Sequence, residues 1–232
     1  MNLKYYIKFF KDISKLGFST KGNDKFGNII LKKIKKGNYL DIGCYHPVKE
    51  SHTAILYNNN WKGVNVDISK ESIDMFNIFR SRDLNLNLGI STKNGKSKAY
   101  FEKSISTVSS LDKNYLNKIG RKIKLTRTIE VITLKNLKKK YNIKNLNFLK
   151  IDCESMDSSI ILKSSLNDLD CSYLCIELLP QDFYGWKNYK HPKKITNSFC
   201  KHYFLKSNIF KKLKKKFNYC SNYNYAFLLK KK

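Results

Sequence analysis

The chain is poor in arginine, proline and acidic residues, and it has no paired-cysteine motif and no long apolar run. Each shortage excludes something. Four arginines, Arg80, Arg82, Arg121 and Arg127, accompany a formal net charge of +28, so nearly all the positive charge is lysine. Lysine lacks the planar fork used for bidentate phosphate and base recognition. It is also spread through the whole chain with Asn, Ile and Tyr, the joint bias of an AT-rich coding sequence. The charge therefore reads as a solvated basic surface in preference to a dedicated nucleic-acid groove, with weak attraction to acidic glycans or anionic lipid heads retained as an expectation. The six cysteines, at 44, 153, 171, 175, 200 and 220, form no CxxC pair and no zinc-finger spacing. With no signal peptide in the sequence, they read as reduced thiols of a cytoplasmic protein. No stretch reaches the roughly 18 consecutive apolar residues of a membrane span. The G-x-G-x-x-G fingerprint of dinucleotide sites is also missing: Gly43 stands alone after the first strand, and Pro47 falls where a helix-opening glycine belongs.

What is present is ample material for one core, since 41% of 232 residues are apolar. Residues 1–37 read as a basic amphipathic helix over 3–16, then a polar connector and a helical run from Phe26 to Ile34. The helix packs on the main domain or lies on an anionic membrane surface. From residue 38 the chain alternates. Tyr39–Pro47 is a buried strand breaking into a turn, 51–60 is helical and stops at Asn58–Asn60, and Trp61–Asp67 is a second strand. Ser69 is placed to cap a helix over 70–79, and 83–90 reads as a third strand. Short strands are expected at 99–101 and 130–134, with a basic helical piece over 113–124 between them. A helix over 134–141, a strand over 146–152, a helix over 157–162 and a strand over 171–177 follow. A basic helix running from about Lys193 to Lys216 and a closing hairpin, 217–219 with 223–229, complete the chain. Strand–helix alternation predicts an α/β fold with a mostly parallel sheet, right-handed crossovers and an antiparallel C-terminal hairpin.

Acidic residues mark the carboxyl ends of these strands, where open α/β sheets bind ligands. Asp41 closes the first strand, Asp67 the second, Asp152-x-Glu154 the fourth and Glu177 the fifth. Asp67 stands where the acid of a nucleotide-binding fold accepts both ribose hydroxyls, and Gly43 admits close backbone approach. Asp41 ahead of the turn repels a pyrophosphate but helps hold an amino group. The combination suits S-adenosylmethionine, which carries an ammonium, a sulfonium and a ribose, and no phosphate.

The runs DIGCYHPVKESHTAILYNNNWKGVNVDIS, LNLNLGIS, STVSSLD, VITLKNL, NFLKIDCESMD and CIE, in that order and spacing, resemble the FkbM family of S-adenosylmethionine-dependent methyltransferases over about residues 38–180. The resemblance implies a class I methyltransferase fold, Rossmann-like, with a seven-stranded sheet, and O-methylation of sugar or polyketide-type hydroxyls. It assigns Asp41 and Gly43 to the first cofactor motif, Asp67 to the ribose, Asn87 and Leu88 to the approach to adenine, and Asp152 with Glu154 to the family's K-I-D-x-E-G block. Ser155 replaces the glycine of that block and Asp157 its final acid, which makes the turn less permissive.

Methyl transfer to oxygen needs alignment and a base for the hydroxyl proton. His46, Asp152, Glu154 and His191 are the candidates. His46 either points into the pocket or hydrogen-bonds the turn backbone. Asp152 and Glu154 either act chemically, hold a divalent cation such as Mg²⁺, or cap a helix. The loop Phe183–His191 is either an aromatic lid for a sugar ring or an anchor. The expected activity is O-methyl transfer to a hydroxyl of a glycan or other small-molecule acceptor. The alternatives are an RNA methyltransferase, and a non-catalytic module binding glycans or acidic lipids.

Overall fold

Alternate side chains of the strand β1, Asn38–Ile42, enter two different cores. Leu40 and Ile42 join Val66, Leu149, Ile151, Leu174 and Ile176 on one side of the sheet, while Tyr39 joins Trp61, Phe148, Tyr173 and Phe227 on the other. Strands buried on both faces are what a parallel sheet covered by helices requires. The computed structural model describes residues 24–177, 197–222 and 225–232. The expected helix over 3–16, the loop Phe183–His191 and its His191 lie outside the described residues.

The remaining strands of the main sheet are β2 (Lys62–Asp67), β3 (Leu84–Asn87), β8 (Phe148–Ile151), β9 (Tyr173–Glu177), β10 (Phe217–Asn222) and β11 (Tyr225–Lys230). Their order is β10-β11-β9-β8-β1-β2-β3. All pairs are parallel except those of β11, which runs antiparallel to both β9 and β10. The order reverses between β1 and β8. That switch point is where an open parallel sheet leaves a crevice at its carboxyl edge.

One face is covered by α5 (Leu134–Lys140), α6 (Asp157–Lys163), α7 (Asn197–Lys206) and α8 (Asn208–Leu213), which contribute Leu134, Leu137, Ile160, Ile161, Phe204, Ile209 and Leu213 to the first core. The other carries α1 (Asp24–Leu31) and α2 (Ala54–Asn58) through Phe26, Ile30 and Leu56. Phe26 stacks on Phe227 with centroids 4.6 Å apart. The helix α3 (Lys70–Phe79) is capped by Ser69, whose side chain accepts from the Ser72 backbone N–H.

A second sheet in the order β4-β7-β5-β6 stands over the carboxyl edge, built from β4 (Gly89–Ile90), β5 (Gly95–Phe101), β6 (Ser109–Ser110) and β7 (Leu125–Ile132). It changes three sequence expectations. The strand expected over 83–90 divides at Leu88, its first half pairing with β2 and its second with β7. The strands expected at 99–101 and 130–134 are longer and pair antiparallel from Gly95↔Val131 to Phe101↔Leu125. The helix expected over 113–124 stops at Lys118, giving α4 (Lys113–Lys118), because the chain must straighten to enter that pairing. The expected basic helix ending near Lys216 is two, divided at Ser207, which caps α8 by accepting from the Phe210 backbone N–H.

Candidate active site

A cavity of about 350 Å³ opens at the carboxyl edge, lined from β1 and the turn after it (Ile42, Gly43), β2 (Val66, Asp67), β8 and the residue after it (Lys150, Asp152) and β9 (Glu177), and roofed by Ser106, Thr107 and Leu111. Gly43 makes it geometrically attainable. Its φ of +72° belongs to the left-handed region, and a Cβ there would stand 1.7 Å from the Asp152 carbonyl oxygen, so only glycine lets β1 and β8 diverge this close together.

Asp41 does not line the cavity. It is 1% exposed because it faces the side of the sheet that Tyr39 faces. One carboxylate oxygen accepts from Thr53 Oγ1 at 2.6 Å, and the other lies 3.4 Å from Lys150 Nζ. Thr53 in turn accepts from Arg80, whose guanidinium is 1% exposed and also donates to the Pro47 carbonyl and Ser51 Oγ. The sequence assigns Asp41 to the cofactor; the structure makes it the anchor of a buried polar cluster beneath the turn. His46 is also outside the lining. Its Nδ1 accepts the Val48 and Lys49 backbone N–H groups at 3.1 and 2.9 Å, so of its two expected roles the geometry displays the turn-holding one.

Asp67 sits at the cavity's β2 end with its carboxylate oriented by the Tyr45 and Ser69 backbone N–H groups, at 2.8 and 2.7 Å. Burial pushes its pKa up to about 6 against the pull of those two hydrogen bonds. Each oxygen keeps a further lone pair for a ligand hydroxyl. Beside it Ile68, Leu88, Ile90 and Leu111 form an apolar slot. Leu88 is therefore in the lining as expected, whereas Asn87 is turned aside, donating from Nδ2 to the Asp67 backbone carbonyl at 3.0 Å.

At the other end, Asp152, Glu154 and Glu177 bring carboxylate oxygens within 4.8 Å of one another. Lys150 Nζ lies 3.2 Å from Asp152 and donates to the Gly43 carbonyl at 2.8 Å. Burial works against its charge, but Asp152 and Asp41 outweigh it and hold the ammonium well above the usual lysine range. Burial likewise opposes the charge of Asp152, yet Lys150 and the Tyr225 hydroxyl, 2.9 Å away, keep that carboxyl below its ordinary value. Glu154 shows the opposite shift: burial and the neighbouring Asp152 raise it to about 8, although Tyr115 donates to it. Burial, Asp152 and Glu154 push Glu177 well up too. The turn expected to suffer from Ser155 is kept: Glu154 and Ser155 adopt φ of 47° and 85°. Ser110 secures them, donating to the Glu154 carbonyl at 2.7 Å and lying 3.2 Å from Ser155 Oγ. Asp157 accepts the Cys153 N–H at 2.9 Å. Sequence reasoning noted Glu177 only as a strand tip and missed Tyr115, Tyr225 and Lys150.

A sheet in this order with an antiparallel β11, a crevice at the switch point and an acid at the β2 tip define a class I methyltransferase fold. The methyltransferase FkbM domain matches residues 41–209, and the chain belongs to that family of S-adenosylmethionine-dependent methyltransferases. No curated protein matches it. Among solved structures it is similar to a TehB-like SAM-dependent methyltransferase from Corynebacterium glutamicum, with 8% identity, a TM-score of 0.45 and coverage of 98% of this chain and 97% of that one.

Proposed function

We propose that the protein transfers a methyl group from S-adenosylmethionine to a hydroxyl of a sugar, glycan or other small metabolite in the cytoplasm. The observation that carries the oxygen assignment is Glu154, a carboxyl that holds its proton to about 8 in the same cavity as Asp67. A base with a pKa near the working pH is what hydroxyl activation requires.

The lining fits the cofactor. Asp67 offers two oriented oxygens to ribose hydroxyls, and the slot of Ile68, Leu88, Ile90 and Leu111 offers apolar walls to a flat base. Lys150 is the single cationic side chain among the described lining residues and is engaged by Asp41, Asp152 and the Gly43 carbonyl, so the described lining holds no uncommitted cation for a phosphate. When bound, S-adenosylmethionine supplies an electrophilic methyl on a sulfonium. The chain's own residues orient and deprotonate the acceptor: Glu154 takes the hydroxyl proton, while Tyr115 fixes the carboxylate by hydrogen bonding. The RNA alternative gains nothing from the geometry, because the lysine surface does not extend into the lining.

Incubation with methyl-labelled S-adenosylmethionine and hydroxylated acceptors, with the product located by NMR, tests this reading. The expected product is a methyl ether. Label on nitrogen or in RNA, or no binding of S-adenosylhomocysteine by the folded protein in calorimetry, sinks it.

A further inference from the structure

The two ends of the cavity differ in charge balance. Asp67 marks the ribose end on β2. Crossing the sheet through β1 and β8 leads to Glu177 on β9 and Tyr225 on β11, the end left for the acceptor. There the carboxyls of Asp152, Glu154 and Glu177 face a single ammonium, Lys150, already shared between Asp41 and Asp152. Glu177 shares a side-chain hydrogen bond with Asp152, while its Oε2 has under 1 Å² of solvent contact and no hydrogen-bond partner. A buried oxygen left without a donor destabilises its site until a donor moves in beside it.

We propose that this end recognises a protonated amine adjacent to the acceptor hydroxyl, so that the acceptor is an amino sugar or related amino alcohol. The inference rests on the methyl-transfer reading above. Three oxygens within 4.8 Å of one another can all be met by one ammonium at the charge-assisted distance of about 2.8 Å, and an ammonium has three donors to give. A divalent cation fits less well. Lys150 stands 3.2 Å from the Asp152 carboxylate and repels a doubly charged ion about twice as strongly as a singly charged ammonium. Phosphorylated and uronic acceptors meet like charge from Glu50, Asp152 and the ionised forms of Glu154 and Glu177. An incoming ammonium also favours the ionised forms of Glu154 and Glu177. The amine thereby releases their protons and readies Glu154 to take the hydroxyl proton of the same acceptor.

The test uses the wild-type protein with labelled S-adenosylmethionine and three probes: glucosamine oligosaccharides, their fully N-acetylated counterparts and a uronic-acid oligosaccharide. Transfer to the free-amine probe is expected to exceed that to either other probe by about tenfold or more, the scale of discrimination when a site's polar groups are left unpaired. Calorimetry in buffers of different ionisation enthalpy is expected to show proton release as the free-amine probe joins the S-adenosylhomocysteine complex. Glu177→Gln is expected to narrow the preference while S-adenosylhomocysteine affinity stays within about twofold.

Equal transfer to the N-acetylated probe, preference for the uronic probe, or no transfer to the free-amine probe by a protein that binds S-adenosylhomocysteine overturns the amine inference alone. Transfer abolished by chelation and restored by Mg²⁺ assigns the cluster to a metal and overturns it also. So does a Glu177→Gln protein, folded by circular dichroism, that has lost S-adenosylhomocysteine affinity, since the cluster would then hold the cofactor. Absence of S-adenosylhomocysteine binding by the wild type overturns both readings.

Discussion

Asp67 and Glu154 are both acids with raised pKa values, and both act ionised, so rising pH favours binding through the first and chemistry through the second, in different pH windows. Asp67 must be ionised to accept two hydroxyls, and its value of about 6 places the change just below neutrality. Below pH 6 each unit is expected to weaken S-adenosylhomocysteine binding by about tenfold, as the competent fraction of the carboxylate falls. Calorimetry at pH 5 and pH 7.5 reads this directly, and an affinity flat across that interval removes Asp67 from the ribose. Glu154 must be ionised to take a proton, so turnover is expected to rise with pH through about 8. Tyr115→Phe deletes a hydrogen bond that holds that pKa down, and the rising limb of kcat/KM should move to higher pH; a purely structural tyrosine leaves the limb in place. The acids at 67, 152, 154 and 177 were legible as strand tips. The burial of Asp41 was not legible, because it depends on which side of β1 it faces and on Lys150, 109 positions away, arriving opposite it in the register Asp41↔Lys150. No local pattern carries that pairing.

The elements explain why this cavity is held open with one essential glycine. The turn after β1 is fixed from below by the buried chain Lys150–Asp41–Thr53–Arg80–Pro47 and from the side by the close approach of Gly43 to the Asp152 carbonyl. Arg80→Ala removes a buried guanidinium and strands the Pro47 carbonyl, Ser51 and Thr53. It is expected to cost about 3–5 kcal/mol, the scale of a broken buried charge network, read as a lower urea midpoint with unchanged slope. Gly43→Ala is a separate failure. A methyl 1.7 Å from a carbonyl oxygen must force β1 and β8 apart, so S-adenosylhomocysteine binding is expected to be lost even where far-UV circular dichroism is retained. Binding within twofold of wild type would mean the two strand ends separate without cost. The central strands were readable because they are short apolar runs ending in acid. The second sheet was only half readable: Gly95–Phe101 and Leu125–Ile132 interleave lysine, threonine and arginine with their apolar residues, since one side of that sheet meets water while Ala99, Phe101, Ile129 and Val131, with Leu125 beside them, pack inward.

Over the whole molecule, a chain of net charge +28 surrounds a cavity whose lining carries five carboxyl side chains and one lysine. These two fields act at different ranges. The surface charge is felt at distances comparable with the Debye length, about 10 Å at 0.1 M salt, whereas the lining acts at contact, where salt screens little. S-adenosylmethionine carries one net positive charge and S-adenosylhomocysteine none, so the distant field opposes the approach of the first and ignores the second. Raising salt from about 20 to about 200 mM is therefore expected to increase the association rate of S-adenosylmethionine several-fold and leave that of S-adenosylhomocysteine unchanged, with both dissociation rates steady. Stopped-flow fluorescence of the protein's aromatic residues measures all four rates. A polyanion-binding protein behaves in the reverse sense, its affinity for nucleic acid falling steeply as salt rises. If S-adenosylmethionine association slows with salt instead, the lining's negative potential reaches solvent and steers the cofactor in, and the lysine surface plays no part in what enters the cavity.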